Sequence, residues 1–467
     1  MRLPNPVCIL FIVVAFWLAG PICFAADEAT ERPNVLFIAV DDLNDWIGAL
    51  SGHPQSVTPN IDRLVSRGVL FTNAHCAAPA CNPSRVALMS GIRPSTSGVY
   101  LNSDPWRPAM PDVVTLPQHF MAHGYRAIGS GKVYHGSFPD PPSWHEYWPS
   151  KTKQKPDDPV PPRRPVNGIA KTAHFDWGPV DVPDEEMGDA QVADWVIGKL
   201  EAEHTEPFFL ACGFYRPHLP WYVPREYFAR PGVERVILPQ VRDDDLLDIP
   251  QAGIAMARSQ GDHARVVEHD QWSAAVQGYL ASIAFVDGQV GRVLDALDRS
   301  GHGEDTIIVF WTDHGWHLGE KEHWRKFALW ERATRTPMAI VAPGVGKPGS
   351  RCAQPANLID IYPTLVDLCG LAATEWTEGE SLRPWLIAPE TPRERPSLTT
   401  HGWGNHSLRS ARYRYIRYAD GSEEFYDHAT DPHEWTNLAG DSAYDAERTT
   451  IARWLPKSNT ARVGGDR

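Results

Sequence analysis

The chain has 467 residues, with 44 lysines and arginines against 58 aspartates and glutamates, a net charge of −14. That length supports a large core and two structural units, and the acidic balance argues against a basic nucleic-acid surface. An acidic protein that handles an anion must gather its cations inside the site, and 42 prolines with 18 tryptophans point to long ordered loops and aromatic surfaces.

Residues 1–26 read as an export signal. Arg2 is the positive end, Val7 to Leu18 is apolar, and Cys23-Phe24-Ala25-Ala26 offers a cleavage site. The apolar run is shorter than the ~20 residues of a spanning helix. No second apolar span follows, so the mature protein is expected to be exported, periplasmic or secreted, without a stable membrane anchor.

Residues 27–392 read as the catalytic domain. Asn34–Val40, Phe208–Phe214 and Thr306–Trp311 are apolar runs of the kind that form buried parallel strands. They end in Asp41-Asp42, in Tyr215-Arg216-Pro217-His218 and in Thr312-Asp313-His314-Gly315. In open α/β sheets, sites gather beyond the carboxyl ends of strands, so three polar tips point to one site. Between the strands, Thr58-Pro59 caps and starts a helix carrying Ile61, Leu64 and Val65. Val86 to Ser90 is expected as a short helix opening just after Cys81, with Gly91 as its stop. Tyr279 to Leu297 places Ile283, Val286, Val290, Val293, Leu294 and Leu297 on one helical face, and Gly301 ends it. Alternating strands and helices define an α/β fold, a large and mostly parallel sheet sandwiched by helices.

Pro139 to Asn167, rich in proline and mixed charge, reads as a long irregular loop, either a surface insertion or a site wall. Residues 393–467 read as a small C-terminal α+β subdomain with a small antiparallel sheet. There Ser407 to Tyr418 is expected as a strand, Asp420-Gly421 as a hairpin turn and Glu423 to Tyr426 as its partner. Of the seven cysteines, Cys8 and Cys23 leave with the signal, and none has metal-site spacing. Cys352 and Cys369 are the pair open to a bridge in an oxidising compartment, whereas Cys76 and Cys212 read equally well as buried thiols.

Asp41, Asp42, Asp313 and His314 put three carboxylates and an imidazole at two strand ends. That set suits a hard divalent cation. Ca²⁺ is favoured over Mg²⁺ because a crowded carboxylate cage tolerates irregular coordination, and Zn²⁺ would want more His or Cys. Each pair alone also reads as a helix cap or a turn.

Cys81-Asn82-Pro83-Ser84-Arg85, followed by Gly91, resembles without a mismatch the Cys-x-Pro-Ser-Arg…Gly signature of type I sulfatases. A buried structural thiol is the plain alternative for a single cysteine. The resemblance implies an alkaline-phosphatase-like fold. It also implies oxidation of Cys81 to Cα-formylglycine by a formylglycine-generating maturation enzyme, with residue 81 joining Asp41, Asp42, Asp313 and His314 around one Ca²⁺. Arg85 would bond the hydrated aldehyde and the metal-binding carboxylates. Lys132, in Gly131-Lys132-Val133-Tyr134-His135-Gly136, would contact a sulfate oxygen, and His135 would act as base when the sulfo-enzyme breaks down.

Many arylsulfatases carry Lys-x-His at this place, whereas Lys-x-x-His here is shared with the iduronate-2-sulfatase branch. Gly213-Phe214-Tyr215-Arg216-Pro217-His218-Leu219-Pro220 and Trp324-Arg325-Lys326-Phe327 also resemble that branch. His218 is then the candidate general acid, with Lys326 stabilising the leaving and bridging oxygens. Asp313-His314-Gly315-Trp316-His317-Leu318-Gly319-Glu320 and Asn357-Leu358-Ile359-Asp360-Ile361-Tyr362-Pro363-Thr364 extend the likeness over nearly all of the mature chain.

The implied activity is hydrolysis of a sulfate ester on a saccharide, with a uronate 2-O-sulfate as first guess and another sulfate ester as the wider class. A phosphonate or phosphodiester hydrolase of the same superfamily is the enzymatic alternative. A catalytically silent carbohydrate-binding relative is the other, and it would require loss of a member of this set.

Overall fold

Asn34–Val40 (β1) is buried along its whole length, which is why it reads as an unbroken apolar run rather than an alternating one. The computed structural model describes Met1 and residues 32–170, 172, 174–229 and 233–465. The expected export signal, with Cys8 and Cys23, lies outside the described residues apart from Met1. Residues Pro33–Arg467 form one unit.

Beside β1 stand β2 (Val69–Phe71), β3 (Arg126–Gly131), β4 (Glu146–Trp148), β5 (Phe208–Phe214), β6 (Thr306–Thr312), β7 (Met338–Val341) and β8 (Ser350–Cys352). They make an eight-stranded sheet ordered β8-β2-β7-β6-β1-β5-β3-β4. β1 lies parallel to both β5 and β6, and β3 is parallel to β5. The ends of these strands therefore share one edge of the sheet. β7 runs antiparallel to β6 and to β2, so the sheet is mixed.

Alternate residues of β1 serve opposite cores. Leu36, Ile38 and Val40 pack into one apolar cluster with Ile283, Val286 and Val290, and Val35, Phe37 and Ala39 pack into the other with Val86, Leu88 and Met89. With ~1.5–3 kcal/mol for each fully buried aliphatic side chain, both faces of this strand hold the sheet edge in place.

Three helices depart from the expected limits or caps. Pro59–Ser66 (α1) starts where expected, but Thr58 does not cap it: its Oγ1 accepts from the Gly48 N–H at 2.8 Å. The free amides of Asn60 and Ile61 donate instead to Asp287 Oδ1, at 3.1 and 2.8 Å. Cys81–Ser90 (α2) begins at Cys81 itself rather than at Val86. Pro83 hides this start in the sequence, yet it sits in the first turn, where a missing N–H costs no helical bond. Gly91, at φ 74°, ends α2 as expected. After Gly188–Leu200 (α3), the long helix Trp272–Ser300 (α4) starts before Tyr279 and stops at Gly301.

The C-terminal sheet is a meander of β9 (Ser397–Thr400), β10 (His406–Arg409), β11 (Tyr413–Arg417) and β12 (Glu423–Asp427). The single strand expected over Ser407–Tyr418 is two strands. The chain turns at 410–412, where Ser410 Oγ accepts the amides of Tyr413 and Arg412 at 2.8 and 3.3 Å. Thr399 Oγ1 donates to Cys76 O at 2.6 Å and the Thr400 N–H to Ala77 O at 2.9 Å, which ties β9 to the segment before Cys81.

None of Cys76, Cys81, Cys212, Cys352 and Cys369 is in a disulfide, so the bridge considered for Cys352 and Cys369 is not formed. Cys352 ends the edge strand β8 with its thiol on Pro389 O at 3.4 Å. Among the described residues, no helix is long and apolar enough to cross a membrane.

Candidate active site

The tips of β1 and β6 form the floor. Asp41, Asp42, Asp313 and His314 are all buried. Asp42 has φ 63°, a left-handed conformation that aspartate tolerates better than most residues. Its N–H donates to Asp313 Oδ1 at 3.1 Å, and its carbonyl accepts from the Tyr279 hydroxyl at 2.8 Å. Gly315 must follow His314 as glycine, because a Cβ there would meet the Arg332 carbonyl at 2.0 Å. Lys132 reaches the floor through a close approach of β3 and β5: a Cβ on Gly213 would lie 2.4 Å from the Lys132 backbone.

Helix α2 brings the centre. Arg85, fully buried, donates through Nε to Asp313 Oδ2 at 3.0 Å and through NH2 to Asp41 Oδ1 at 2.9 Å. NH1 donates to the Lys132 and Val133 carbonyls at 2.6 and 3.0 Å. Lys132 Nζ pairs with Asp41 Oδ2, and Lys326 Nζ donates to Asp42 Oδ1 at 2.7 Å. Around Cys81 Sγ lie Lys326 Nζ at 2.9 Å, His314 Nε2 at 3.5 Å, Lys132 Nζ at 3.7 Å and Asp42 Oδ1 at 3.9 Å. Ligand atoms of Asp42, Cys81, Asp313 and His314 lie within 4.8 Å of one another, as do those of Asp41, Asp42, Cys81 and His218.

The two aspartates of β1 respond oppositely. Burial raises Asp41, but Lys132 and Arg85 more than offset it and hold the carboxyl well below its usual range. Burial, opposed by Lys326 and reinforced by Asp41 and Asp313, pushes Asp42 up to about 7. Burial lowers His314 to about 4, so its imidazole is neutral; its Nδ1 meets Gly315 O at 3.0 Å, which turns Nε2 inward. Burial and Asp41 push the Cys81 thiol up, so as a plain cysteine it is a poor nucleophile.

His218 and His135 occupy the wall. His218 Nε2 is 3.8 Å from Asp42 Oδ2, and its Nδ1 sits 2.5 Å from Leu219 O. His135 makes no bond to Cys81; its Nδ1 accepts the Ser137 amide at 3.4 Å, and its carbonyl accepts from Gln154 at 3.2 Å. It still feels the cluster, since burial and then Lys132 lower it to about 3. The segment 139–167 is not one irregular loop as expected: it contains β4 (Glu146–Trp148), paired parallel with β3, and Gln154 and Lys155 beyond it wall the site, with Lys155 Nζ 4.4 Å from the Tyr215 ring centre.

Sequence reasoning gave no role to Tyr279, Ser84 or His323. Ser84 Oγ donates to Asp313 O at 2.5 Å, and both nitrogens of buried His323 meet carbonyls, Ala257 O at 2.8 Å and Lys326 O at 2.6 Å. Ser84 in α2 and Tyr279 in α4 meet partners far away in the chain, which only the fold brings together, whereas His323 meets Lys326 just three residues on.

A strand-end cage on a mixed α/β sheet defines an alkaline-phosphatase-like hydrolase. The solved phosphonate monoester hydrolase of Agrobacterium radiobacter shares this fold, with a TM-score of 0.73 and 25% identity over 91% of this chain and 95% of that one. The Sulfatase family profile matches residues 33–371, and that of the N-sulphoglucosamine sulphohydrolase C-terminal region matches 319–460. A sulfatase of Formosa agariphila is 39% identical over 451 residues, 92% of this chain and 88% of its own. Iduronate 2-sulfatase of Homo sapiens is 32% identical over 390 residues, 74% of this chain and 70% of its own. The chain belongs to the sulfatase family and is a sulfatase enzyme.

Proposed function

We propose that the protein, once exported, removes sulfate from a sulfated saccharide, with a uronate 2-O-sulfate as the first substrate class, using Cys81 oxidised to Cα-formylglycine and one Ca²⁺. The observation that carries the reading is the convergence of Lys326, His314, Lys132 and Asp42 on Cys81 Sγ, at 2.9 to 3.9 Å. That sulfur stands where the hydroxyls of a hydrated aldehyde would be. Likeness to iduronate 2-sulfatase and the Lys-x-x-His spacing of Lys132 and His135 support the uronate class.

The donor set fits a hard cation. Asp42 Oδ2 is buried with no hydrogen-bond partner, and Asp41, Asp42, Asp313 and His314 would hold the ion beside residue 81. Bound there, it would offset negative charge on the sulfate oxygens. The hydrated aldehyde would supply a hydroxyl nucleophile and a second hydroxyl for later release of sulfate.

The remaining work falls to ordinary side chains. Lys132 offers a point charge to a sulfate oxygen, and Lys326 offers one to the bridging oxygen. The Leu219 carbonyl fixes the His218 ring through Nδ1, and His218 Nε2, when protonated, gives its proton to the leaving sugar oxygen. His135, kept neutral by burial and Lys132, is the candidate base for breakdown of the sulfo-enzyme.

A panel of sulfated oligosaccharides, read by released inorganic sulfate, tests the substrate class. Mass spectrometry of the peptide containing residue 81 should show a loss of about 18 Da in active enzyme, the difference between thiol and aldehyde. Full activity with an intact thiol would refute the nucleophile. Faster turnover of a phosphonate ester than of any sulfate ester would replace the reading with the chemistry named for the A. radiobacter neighbour. The silent carbohydrate-binding alternative requires a missing member of the set, and Cys81, Arg85, Lys132, Asp41, Asp42, Asp313 and His314 are all present.

A further inference from the structure

Tyr215 is the first residue beyond β5, and its ring lies against the wall of the site rather than in an apolar core. The ring centre is 4.5 Å from that of His218, with the planes inclined at 36°. Lys132 Nζ is 5.1 Å from the same ring centre, Lys155 Nζ 4.4 Å and the Arg216 guanidinium carbon 5.3 Å. The hydroxyl donates to Leu219 O at 3.1 Å, and the same carbonyl meets His218 Nδ1 at 2.5 Å. The backbone is pinned from α3: the amides of Tyr215 and Arg216 donate to the two oxygens of Asp189, at 2.7 and 2.8 Å.

We propose that Tyr215 is a positioning residue that couples the two halves of the reaction, holding Lys132 for the sulfate and His218 for the leaving oxygen. The inference rests on the sulfatase reading above and deepens it. An aromatic face attracts an ammonium through its quadrupole, and an interaction of ~0.5–2 kcal/mol is available to Lys132 where water is excluded. The ring also blocks rotation of His218 away from the floor, while the shared Leu219 carbonyl keeps Nδ1 engaged and Nε2 turned toward Asp42. Lys155 and Arg216 pull on the same ring, which leaves its face strongly committed to cations. A tyrosine with a purely packing role would touch neither the acid nor the sulfate lysine.

The two contacts separate in kinetics. Loss of the ring should loosen His218, which matters for a poor leaving group, and loosen Lys132, which matters for every sulfate ester. In Tyr215→Leu, kcat on a sulfated disaccharide should fall by ~10–100-fold, whereas kcat on nitrophenyl sulfate should fall by less than ~3-fold. KM should rise for both substrates. Tyr215→Phe keeps the ring and loses only the hydroxyl bond, so it should stay within ~5-fold of the wild type on both. Tyr215→His keeps a ring with a weaker face, and it reports the same split if the leucine variant does not fold.

Equal kcat losses on the two substrates with KM unchanged, or a phenylalanine variant as impaired as leucine, would overturn the proposal. Wild-type release of sulfate from the oligosaccharide panel tests the parent reading separately, so failure of one is not failure of the other.

Discussion

Two buried ionic clusters use nearly the same residue types and end in opposite states. At the sheet edge, Asp41, Asp42 and Asp313 meet Arg85, Lys132 and Lys326. Beside the C-terminal sheet, Glu331 and Glu434 meet Arg409, Arg414 and His428. Both bring carboxylates and an imidazole within 4.8 Å of one another. In the second cluster Glu434 is spent: Oε1 takes His428 Nε2 at 2.9 Å and pairs with Arg414, and Oε2 takes the Glu331 amide at 2.8 Å. Burial raises Glu434, yet Arg414 and His428 more than offset it and bring it to about 2.

In the first cluster Asp42 is pushed up to about 7, and its Oδ2 has no hydrogen-bond partner. Of the two carboxylate–histidine groups, the one at the sheet edge is the one with a buried carboxylate oxygen left for a cation, as the proposed function requires. The choice of cation matters too. Arginine forks lock carboxylates in the C-terminal network, whereas under the proposed reading the Lys326 ammonium, on a flexible stem, would have to yield Asp42 to a metal.

The comparison breaks most easily at Asp42. Asp42→Ala should lose bound metal together with at least ~10³-fold in kcat/KM, with the fold retained; elemental analysis showing unchanged metal would place the cage elsewhere. Arg414→Met attacks the other cluster. It strands Glu434 and Glu331 and should cost about 3–5 kcal/mol by urea unfolding, with metal content of the folded fraction unaltered. An unchanged urea midpoint would mean the network carries no net stability.

The third test stays inside the catalytic cluster and contrasts its floor with its wall. His218→Ala should slow a sugar sulfate by ~10²-fold and nitrophenyl sulfate only a few-fold, because an activated phenol needs little protonation. Equal losses would assign the acid role to Lys326 instead.

The smallest effect is acid linkage. The folded value of Glu434 is depressed from 4.5 to about 2, so its contribution is complete above the ordinary glutamate range and is lost as pH falls toward 2. Glu434→Gln should flatten the fall in unfolding free energy over that window by on the order of 1–2 kcal/mol. A slope unchanged from wild type would transfer the linkage to other carboxylates.

The parallel centre of the fold was legible because β1, β5 and β6 are buried on both faces and so read as apolar runs with polar tips. The start of α2 was obscured by Pro83, and the break between β10 and β11 by a turn, Ser410-Ala411-Arg412, that contains no glycine, proline or asparagine. The first turn of α1 was misattributed because its cap, Asp287, comes from a helix far along the chain. At the site, residue types and their strand ends could be read directly. What no spacing reveals is that Lys326 reaches Asp42, or that Tyr279 holds the Asp42 carbonyl. Those contacts arise from tertiary closure over hundreds of residues.

If Cys81 is matured as proposed, its burial would set a timetable. Every residue of α2 is buried, and Cys81 itself is 1% exposed beneath Lys326 and His314. An enzyme that oxidises Cys81 under the proposed reading would have to reach it, and the finished helix buries it. Under the formylglycine reading, maturation must therefore run ahead of folding, on nascent or unfolded chain, and each molecule has one early opportunity. Rapid folding in a host with scarce maturation enzyme would yield stable, well-formed and inactive protein. The fraction active would then record a race between two rates rather than any defect in structure.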